Sequence, residues 1–160
     1  MKTPSLHLSR QGERVLNLFM PLNLPLPWRE RAGERGVMTA RTPDWNEESK
    51  LKPLSSRYVK TDSLPWRQTA FPGVEIKVLL EDKDTGLTTS LTRMTPGAVL
   101  PLHEHVDVEQ TYVLEGRLVD DEGEVKAGEY VWRPKGSTHI ATAPEGALLL
   151  GMFLRPNRFL

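Results

Sequence analysis

The sequence predicts an all-β fold, a two-sheet jelly roll or small barrel, over residues 55–160. Roughly nine short strand-like segments recur there, and Gly, Pro and Asp turn signals separate them. Two of these segments flank Asp82–Gly86, whose composition is typical of a hairpin turn. The nearly all-apolar run 147–154 is typical of a strand that is buried on both faces or meets a partner.

Residues 1–37 differ in composition from the rest of the chain. They hold six basic and three acidic residues, whereas residues 38–160 hold 15 basic and 18 acidic ones. Prolines interrupt the partly apolar stretch 15–28, which disfavours a helix, a central strand or a signal peptide. The stretch is similar to translated intergenic repeat DNA of bacteria, so we expect a disordered extension and a natural translation start at Met38. The alternative is a disordered basic arm.

Residues 38–54 are predicted to form a linker with one short helical turn near residues 45–50. A first strand is expected at Ser55–Asp62. Trp66 and Phe71 lie in turns, and we expect them to pack on the barrel exterior or against a dimer mate.

The remaining strands follow in order. A hairpin joins residues 74–81 and 87–94, and its second strand has the small and β-branched residues that suit a cavity wall. The strand at 111–119 is expected to bend at Gly116. The acidic turn 120–123 is predicted to be a solvated hairpin tip.

Three of the four histidines fall in two segments, residues 97–116 and 128–139, and are spaced as metal ligands often are. His103 and His105 are two residues apart, so on a strand both side chains point to one face and can reach one ion. Glu109 follows at even spacing and offers a carboxylate, and His139 supplies a third imidazole. This ligand set suits Fe(II), Zn(II), Mn(II), Ni(II) or Cu(II) better than Mg or Ca. The alternative is ordinary polar residues on a solvated strand face.

These two segments resemble the two cupin motifs. The first motif reads Gly, five residues, His-x-His, three residues, Glu, six residues, Gly. The second reads Gly, five residues, Pro-x-Gly, two residues, His, three residues, Asn, and Ala143 stands at the Asn position. The positions that match are Gly97, His103, His105, Glu109, Gly116, Gly128, Pro134, Gly136 and His139. The resemblance implies a double-stranded β-helix, the cupin jelly-roll barrel, with metal ligands at His103, His105, Glu109 and His139.

Other segments resemble one branch of the cupins, which includes acetylacetone-cleaving and dihydroxyacetophenone dioxygenases and the cupin half of ChrR-type anti-sigma factors. These segments are Leu64–Trp66, Phe71–Lys77, Thr111–Gly116, Trp132–Pro134 and Gly136–His139. The resemblance implies a non-haem iron dioxygenase that cleaves a small diketone or hydroxyketone. The alternative is a non-catalytic, metal-binding sensor or ligand-binding module.

The same resemblance implies one divalent transition metal, with Fe(II) first and Zn(II), Mn(II) or Ni(II) as alternatives. Some diketone-cleaving relatives use three histidines alone, so the coordination of Glu109 stays open. No catalytic residue is assigned beyond the metal ligands. ChrR-type anti-sigma factors also carry a zinc domain with Cys ligands, and a chain without cysteine is not expected to be a complete one.

We expect a small-molecule ligand and no nucleic-acid partner, because the net charge of residues 38–160 is negative. No apolar run approaches the ~18 residues of a membrane span. A cytoplasmic protein agrees with the lack of cysteine. We expect a homodimer, because the resemblance to cupins implies one and the apolar run 147–154 offers a surface for a partner. A sugar-phosphate isomerase is disfavoured, because no Lys/Arg cluster is placed to bind a phosphate.

Overall fold

The structure is a computed structural model, and it describes residues 39–160. The predictions about residues 1–37 and a start at Met38 lie outside these residues. The strands are β1 Ala40–Arg41, β2 Arg67–Gln68, β3 Val74–Asp82, β4 Thr88–Met94, β5 Ala98–Glu104, β6 Glu109–Val119, β7 Glu124–Lys126, β8 Tyr130–Arg133, β9 Thr138–Ala143, β10 Ala147–Phe153 and β11 Arg158–Phe159. Two short 3-10 turns span Glu48–Lys50 and Thr61–Ser63. The described residues hold no α-helix, so the all-β prediction is confirmed.

The strands form a curled antiparallel sheet in the order β1-β3-β4-β10-β6-β9-β5-β11, with β2 on β3 and β7 and β8 on β6. Strand β6 pairs with β8 and β10 along its first part and with β7 and β9 along its last part, so it belongs to both halves of the jelly roll. Gly116 lies where β6 changes partners, at a φ of 70°. A Cβ there would stand 2.0 Å from the carbonyl oxygen of Gly146. The predicted bend at Gly116 is therefore confirmed.

The hydrophobic core lies between the two halves of the sheet. Strand β10 lies between β4 and β6, which confirms a strand within the run 147–154. Alternate residues of β10 are buried and the others are partly exposed, so the expected burial on both faces is not observed, and contact of the outer face with a partner stays a prediction. The buried core residues are Val74, Met94, Ala98, Val113, Leu118, Val125, Ala143, Ala147 and Leu149. Ala143, at the position where Asn is usual, is fully buried, and its carbonyl oxygen accepts a hydrogen bond from Gly97 N at 2.8 Å. It therefore contributes to packing and to the turn that precedes β5.

Two local predictions are wrong. Residues 55–60 form no strand, and Thr61–Ser63 form a 3-10 turn. The segment has no partner strand, and Arg57 instead holds it through an ion pair with Glu48 at 2.9 Å. The helical turn expected near residues 45–50 is present as the 3-10 turn at Glu48–Lys50. The hairpin of β3 and β4 is confirmed.

The two turn aromatics have different environments. Cationic groups of Lys77 and Arg93 lie 4.8 and 4.3 Å from the centroid of the Trp66 ring. The prediction of an exterior position is wrong for Phe71. Its ring lines an internal cavity, 4.3 Å from the centroid of Phe159. Among the described residues, no helix has the length and hydropathy to cross a membrane.

Candidate metal centre

A bulge in β5 turns the first two histidines inward. Strand β5 pairs with β9, but between Leu100 and His103 the register shifts, so β5 holds one extra residue. Alternation from Leu100 would place Leu102 inside, yet Leu102 is 41% exposed, while His103 and His105 are buried. The prediction that these two histidines share a face is confirmed.

The second motif brings His139 to the same place. Gly136, at a φ of 83°, allows the tight turn after Pro134. The amide of Gly136 donates to the carbonyl oxygen of His105 at 2.8 Å, and the amide of His105 donates to that of Ser137 at 2.9 Å. These two backbone bonds fix the turn against the first motif. Strand β9 then begins, and His139 lies directly opposite His103.

One ring nitrogen from each of His103, His105 and His139 lies within 4.8 Å of the other two. The Nε2 atoms of His103 and His139 are 3.1 Å apart. All three side chains are buried, with exposures of 2%, 0% and 6%. The structure thus brings together the three predicted imidazoles, which the alternative of a solvated strand face did not predict.

Hydrogen bonds determine which nitrogen of His103 and His139 carries the proton. His103 Nδ1 lies 2.8 Å from the carbonyl oxygen of Pro101, which can only accept, so Nδ1 must donate. His139 Nδ1 lies 2.9 Å from Asp120 Oδ2, a carboxylate oxygen, so it also donates. In the neutral rings both Nε2 atoms therefore carry lone pairs.

The same assignment follows for His105. Ser137 Oγ donates its proton to the carbonyl oxygen of Pro134 at 2.8 Å and is left as an acceptor for His105 Nδ1, also at 2.8 Å. The Nε2 atom of His105 is buried and has no hydrogen-bond partner among the described residues. Three inward-facing lone pairs, held by hydrogen bonds at the opposite ring nitrogens, are what a divalent transition metal requires. The residues present fit a metal.

Glu109 lies next to this cluster, on another strand. Strand β5 ends at Glu104 and β6 begins at Glu109, so its even spacing from His105 does not place the two on one strand. Its Oε2 is 3.3 Å from His105 Nε2, but it is not in the group whose donor atoms all lie within 4.8 Å of one another. Thr111 Oγ1 donates to Oε1 at 3.2 Å, and Asn157 Nδ2 donates to Oε2 at 2.5 Å. The coordination of the metal by Glu109 therefore stays a prediction.

Asp120 supports the site, although the sequence predicted a solvated hairpin tip at residues 120–123. Its side chain is 8% exposed, and Oδ2 accepts from His139 Nδ1 and from Arg133 at 2.6 Å. Burial alone would raise the pKa of Asp120, but the hydrogen bonds from Arg133 and His139 lower it to about 2. The solvated-tip prediction is wrong for Asp120, because the pairing of β6 with β7, β8 and β9 encloses it.

The rings of His103 and His139 are neutral at neutral pH. Burial lowers the pKa of His139 to about 4, with a further decrease from the guanidinium of Arg133, while Asp120 opposes the shift. Burial also lowers the pKa of His103 below its ordinary value. Burial raises the pKa of Glu109, but the contacts with His105 and Asn157 outweigh it and hold the pKa below its usual range. Neutral imidazoles beside an ionised carboxylate favour cation binding.

The cluster opens onto a cavity of about 280 Å³. His103, His139 and Glu109 form part of the wall, and aliphatic and aromatic side chains form most of the rest. The remaining lining residues are Thr69, Phe71, Val74, Ile76, Thr88, Thr92, Leu100, Thr111, Leu118, Ala141, Leu149, Gly151, Phe153, Pro156, Asn157 and Phe159. The expectation that β4 lines a cavity is confirmed by Thr88 and Thr92.

Sequence analysis missed Asp120, Ser137 and Asn157 as supporting residues. Ser137 lies within the second motif, between Gly136 and His139, and its place in this tight turn was an available signal. Asn157 reaches Glu109 across 48 positions of sequence, which no local pattern predicts. We call residues 155–159 the C-terminal strap; it ends in β11, which pairs with β5 at His103 and Glu104.

A family model described as a ChrR Cupin-like domain matches residues 54–157. The chain is a member of this cupin family. A search of curated proteins found no significant match to the sequence. The cupin motifs thus predicted both the family and the jelly-roll fold correctly.

Solved structures similar to this cupin include an acetylacetone dioxygenase from Acinetobacter johnsonii, with a TM-score of 0.60 and 20% identity over 69% of this chain and 81% of that chain. An RmlC-like cupin protein from Ralstonia eutropha has a TM-score of 0.57 and 20% identity over 62% and 68%. The Rhodobacter sphaeroides complex of SigE with the anti-sigma ChrR has a TM-score of 0.51 and 23% identity over 59% and 50%. At these identities the similarities show the fold alone.

Proposed function

We propose that this cupin is a metal-dependent, dioxygenase-type enzyme that acts on a small diketone or hydroxyketone. The observation that carries the proposal is the convergence of three imidazole lone pairs on the wall of a mainly apolar cavity. Likeness to an acetylacetone dioxygenase supports it at the level of fold.

His103, His105 and His139 would hold one divalent transition metal, with Glu109 as an additional ligand or as a hydrogen-bonded neighbour of the site. We expect Fe(II), with Zn(II), Mn(II) or Ni(II) as alternatives. Bound Fe(II) would supply Lewis acidity toward the substrate oxygens and a site for O2. The three hydrogen bonds at Nδ1 orient the rings for this role.

The cavity wall selects for an uncharged, compact ligand. No Lys or Arg is among the described residues that line it, so a phosphorylated sugar would find no counter-charge. Phe71 and Phe159 form an apolar pair on the wall, with ring centroids 4.3 Å apart. The cavity volume of about 280 Å³ matches a molecule of modest size. Both features favour a diketone or hydroxyketone over a sugar phosphate.

Oxygen uptake tests the proposal. The full chain is loaded with Fe(II) without air, mixed with β-diketones and hydroxyacetophenones in separate trials, and exposed to O2. Cleavage of a C–C bond with both oxygen atoms entering the two products consumes one O2 per substrate molecule. Zn(II)-loaded protein, which is redox-inert, is the control and should consume none. No uptake by protein with stoichiometric iron would exclude this enzyme class.

A ligand-binding or sensor module is the second candidate, and the family match favours it. The description of the matched family refers to ChrR, and one of the similar structures is ChrR in complex with SigE. Under this candidate, ketones would raise the unfolding temperature of the metal-loaded protein without oxygen uptake, and the partner would include a protein. A cytoplasmic location and a domain spanning 55–160 remain predictions.

We also propose a homodimer, supported by an apolar outer face on β6 and β8. Tyr112 lies directly opposite Tyr130, and Trp132 is one side-chain row further on. Tyr130 and Trp132 are 50% and 55% exposed. Large aromatic side chains grouped on one exposed sheet face are typical of a contact surface.

A further inference from the structure

Arg133 is a buried arginine beside the proposed metal centre. It ends β8, directly opposite Glu109 on β6. Its side chain is 9% exposed, and its Nη2 donates to Asp120 Oδ2 at 2.6 Å. A charge is costly to bury unless it is paired, which Asp120 provides. Because a guanidinium does not lose its proton in proteins, Arg133 is a fixed positive charge in the interior.

Arg133 and His139 share one oxygen of Asp120. His139 Nδ1 also donates to Oδ2, at 2.9 Å. The other oxygen, Oδ1, accepts from the backbone amides of Glu122 and Gly123, both at 3.0 Å. The carboxylate thus receives hydrogen bonds from four donors, two on each oxygen. These bonds hold it in place between the guanidinium and the imidazole.

The charge of Arg133 acts on the histidines themselves. Burial is the main cause that lowers the pKa of His139, and the charge of Arg133 is the next. Burial likewise lowers the pKa of His103, with a smaller contribution from Arg133 in the same direction. A fixed charge that disfavours a proton on these rings also disfavours added positive charge on a metal that they bind.

Asp120 and Arg133 act on His139 in opposite directions. A carboxylate that accepts the Nδ1 proton makes the imidazole a stronger electron donor at Nε2, which favours the higher oxidation state of a metal bound there. A guanidinium on the same carboxylate takes up part of its negative charge and so limits this donation. The opposition is direct, because both side chains donate to Oδ2.

We propose that Arg133 is a positioning residue that keeps iron at this site in the ferrous state, by limiting the electron donation of Asp120 through His139. The inference rests on the proposed function, because non-haem oxygenases of this kind take up O2 at Fe(II). Oxidation of the site removes one electron and leaves Fe(III), whose extra positive charge the guanidinium disfavours.

The midpoint potential of the iron-loaded full chain tests this role without substrate. Dithionite supplies one electron per iron, and the electron paramagnetic resonance signal of Fe(III) gives the oxidised fraction at each potential. Arg133→Met removes the charge. It should raise the affinity for Fe(III) relative to Fe(II) by about tenfold or more, which lowers the midpoint potential by about 59 mV or more. Arg133→Lys keeps the charge and should leave this ratio within about threefold of its original value.

Three further variants separate charge from packing. Asp120→Asn should shift the potential in the opposite direction, and Arg133→Met should have a smaller effect in that background, because the carboxylate that it modulates is gone. Arg41→Met is the matched control and should cause no shift, since Arg41 pairs with Glu81 at 2.8 Å on the exposed edge strand β1. Circular dichroism checks folding. Arg133→Gln, which is neutral but can still donate to Asp120, serves if Arg133→Met is not folded.

A midpoint potential that Arg133→Met does not lower, or an equal shift in Arg133→Lys or Arg41→Met, would overturn the inference. Failure of the unaltered protein to bind iron would overturn it together with the metal centre. Oxygen uptake with the ketones is measured separately. A lowered potential in Arg133→Met without uptake by the unaltered protein supports the role of Arg133 and contradicts the dioxygenase proposal, while uptake without a lowered potential does the reverse.

Discussion

His103 and His139 lie directly opposite each other on β5 and β9, and their Nε2 atoms are 3.1 Å apart. Because each Nδ1 donates a proton elsewhere, both Nε2 atoms present lone pairs, which repel unless a cation lies between them. The Nε2 atom of His105 has no hydrogen-bond partner among residues 39–160. A metal ion removes the repulsion and satisfies all three nitrogens, so the pair is the physical basis of the proposed site.

Asp120→Asn should weaken metal binding by about 10–100-fold, because the carboxylate that orients His139 and increases its basicity is lost. A chelator competition titration measures the affinity. Asp121→Asn is the matched control, because Asp121 is exposed and its substitution removes the same charge from the same turn. Equal affinities for the two variants would show that Asp120 has no special role.

How much of this site the sequence could predict depends on the range of each interaction. The spacing of His103 and His105 predicted a shared face, because side chains two apart on a strand point the same way. It could not predict the bulge that turns them inward, since the bulge depends on pairing with β9. Asp120 looked like a solvated turn residue because only the assembled strands bury it.

Turns with strong local chemistry were predicted well. The hairpin between β3 and β4 depends on residues near each other in sequence. Glycine at position 116 predicted the bend from its residue type alone, although its close approach to Gly146 is a long-range contact. The prediction of a strand at 55–62 was wrong because a strand needs a partner strand, and the composition of the segment does not show whether one is available. The contact of Asn157 with Glu109 was not predicted for a related reason, because it exists only after the C-terminal strap has folded back.

Acid should destabilise the metal-free protein. His139 has a folded pKa of about 4, below its ordinary value of 6.5, so the unfolded chain binds more protons between these values. The stability contributed by the neutral ring is therefore present above pH 6.5 and is lost as the pH falls toward 4. Asp120, with a folded pKa of about 2 against 3.8, loses its contribution at still lower pH.

Urea midpoints of chelator-treated protein, measured across this range, check the pH dependence. His139→Gln is the control, because it cannot titrate and should make the decrease between pH 6.5 and 4 smaller, with the part due to His103 remaining. A midpoint that does not change over that interval in the unaltered protein would contradict the buried, neutral state of His139.

Gly116→Ala should destabilise the fold strongly, by about 3 kcal/mol or more, because it combines a positive φ with a steric clash. The added Cβ would lie 2.0 Å from a backbone oxygen, which cannot move aside as a side chain can. Urea denaturation measures the free energy of unfolding.

Gly128→Ala is the matched control. Gly128 also has a positive φ, 86°, but a Cβ there meets nothing within 4 Å. Gly128→Ala should lower the free energy of unfolding only by the cost of the backbone conformation, about 1–2 kcal/mol. Similar losses at both positions would show that the close approach of Gly116 to Gly146 is unimportant.

Trp132→Glu should convert the proposed homodimer to a monomer, because it places a charge in the apolar face of β6 and β8. Size-exclusion chromatography with light scattering gives the mass. Leu54→Glu is the control, since Leu54 is 97% exposed and lies outside that face. A mass that is unchanged by Trp132→Glu, or a monomer before substitution, would disprove a dimer through this face.

The central claim is that His103, His105 and His139 together hold one transition-metal ion beside the apolar cavity. Anomalous X-ray diffraction at the metal edge, on crystals of protein loaded with Fe(II) or Zn(II), tests it most directly. We expect one anomalous peak within about 2.0–2.3 Å of all three Nε2 atoms, which His103→Ala and His139→Ala should abolish. A peak bonded to fewer than three of these nitrogens, or no peak in metal-loaded protein, would contradict the account.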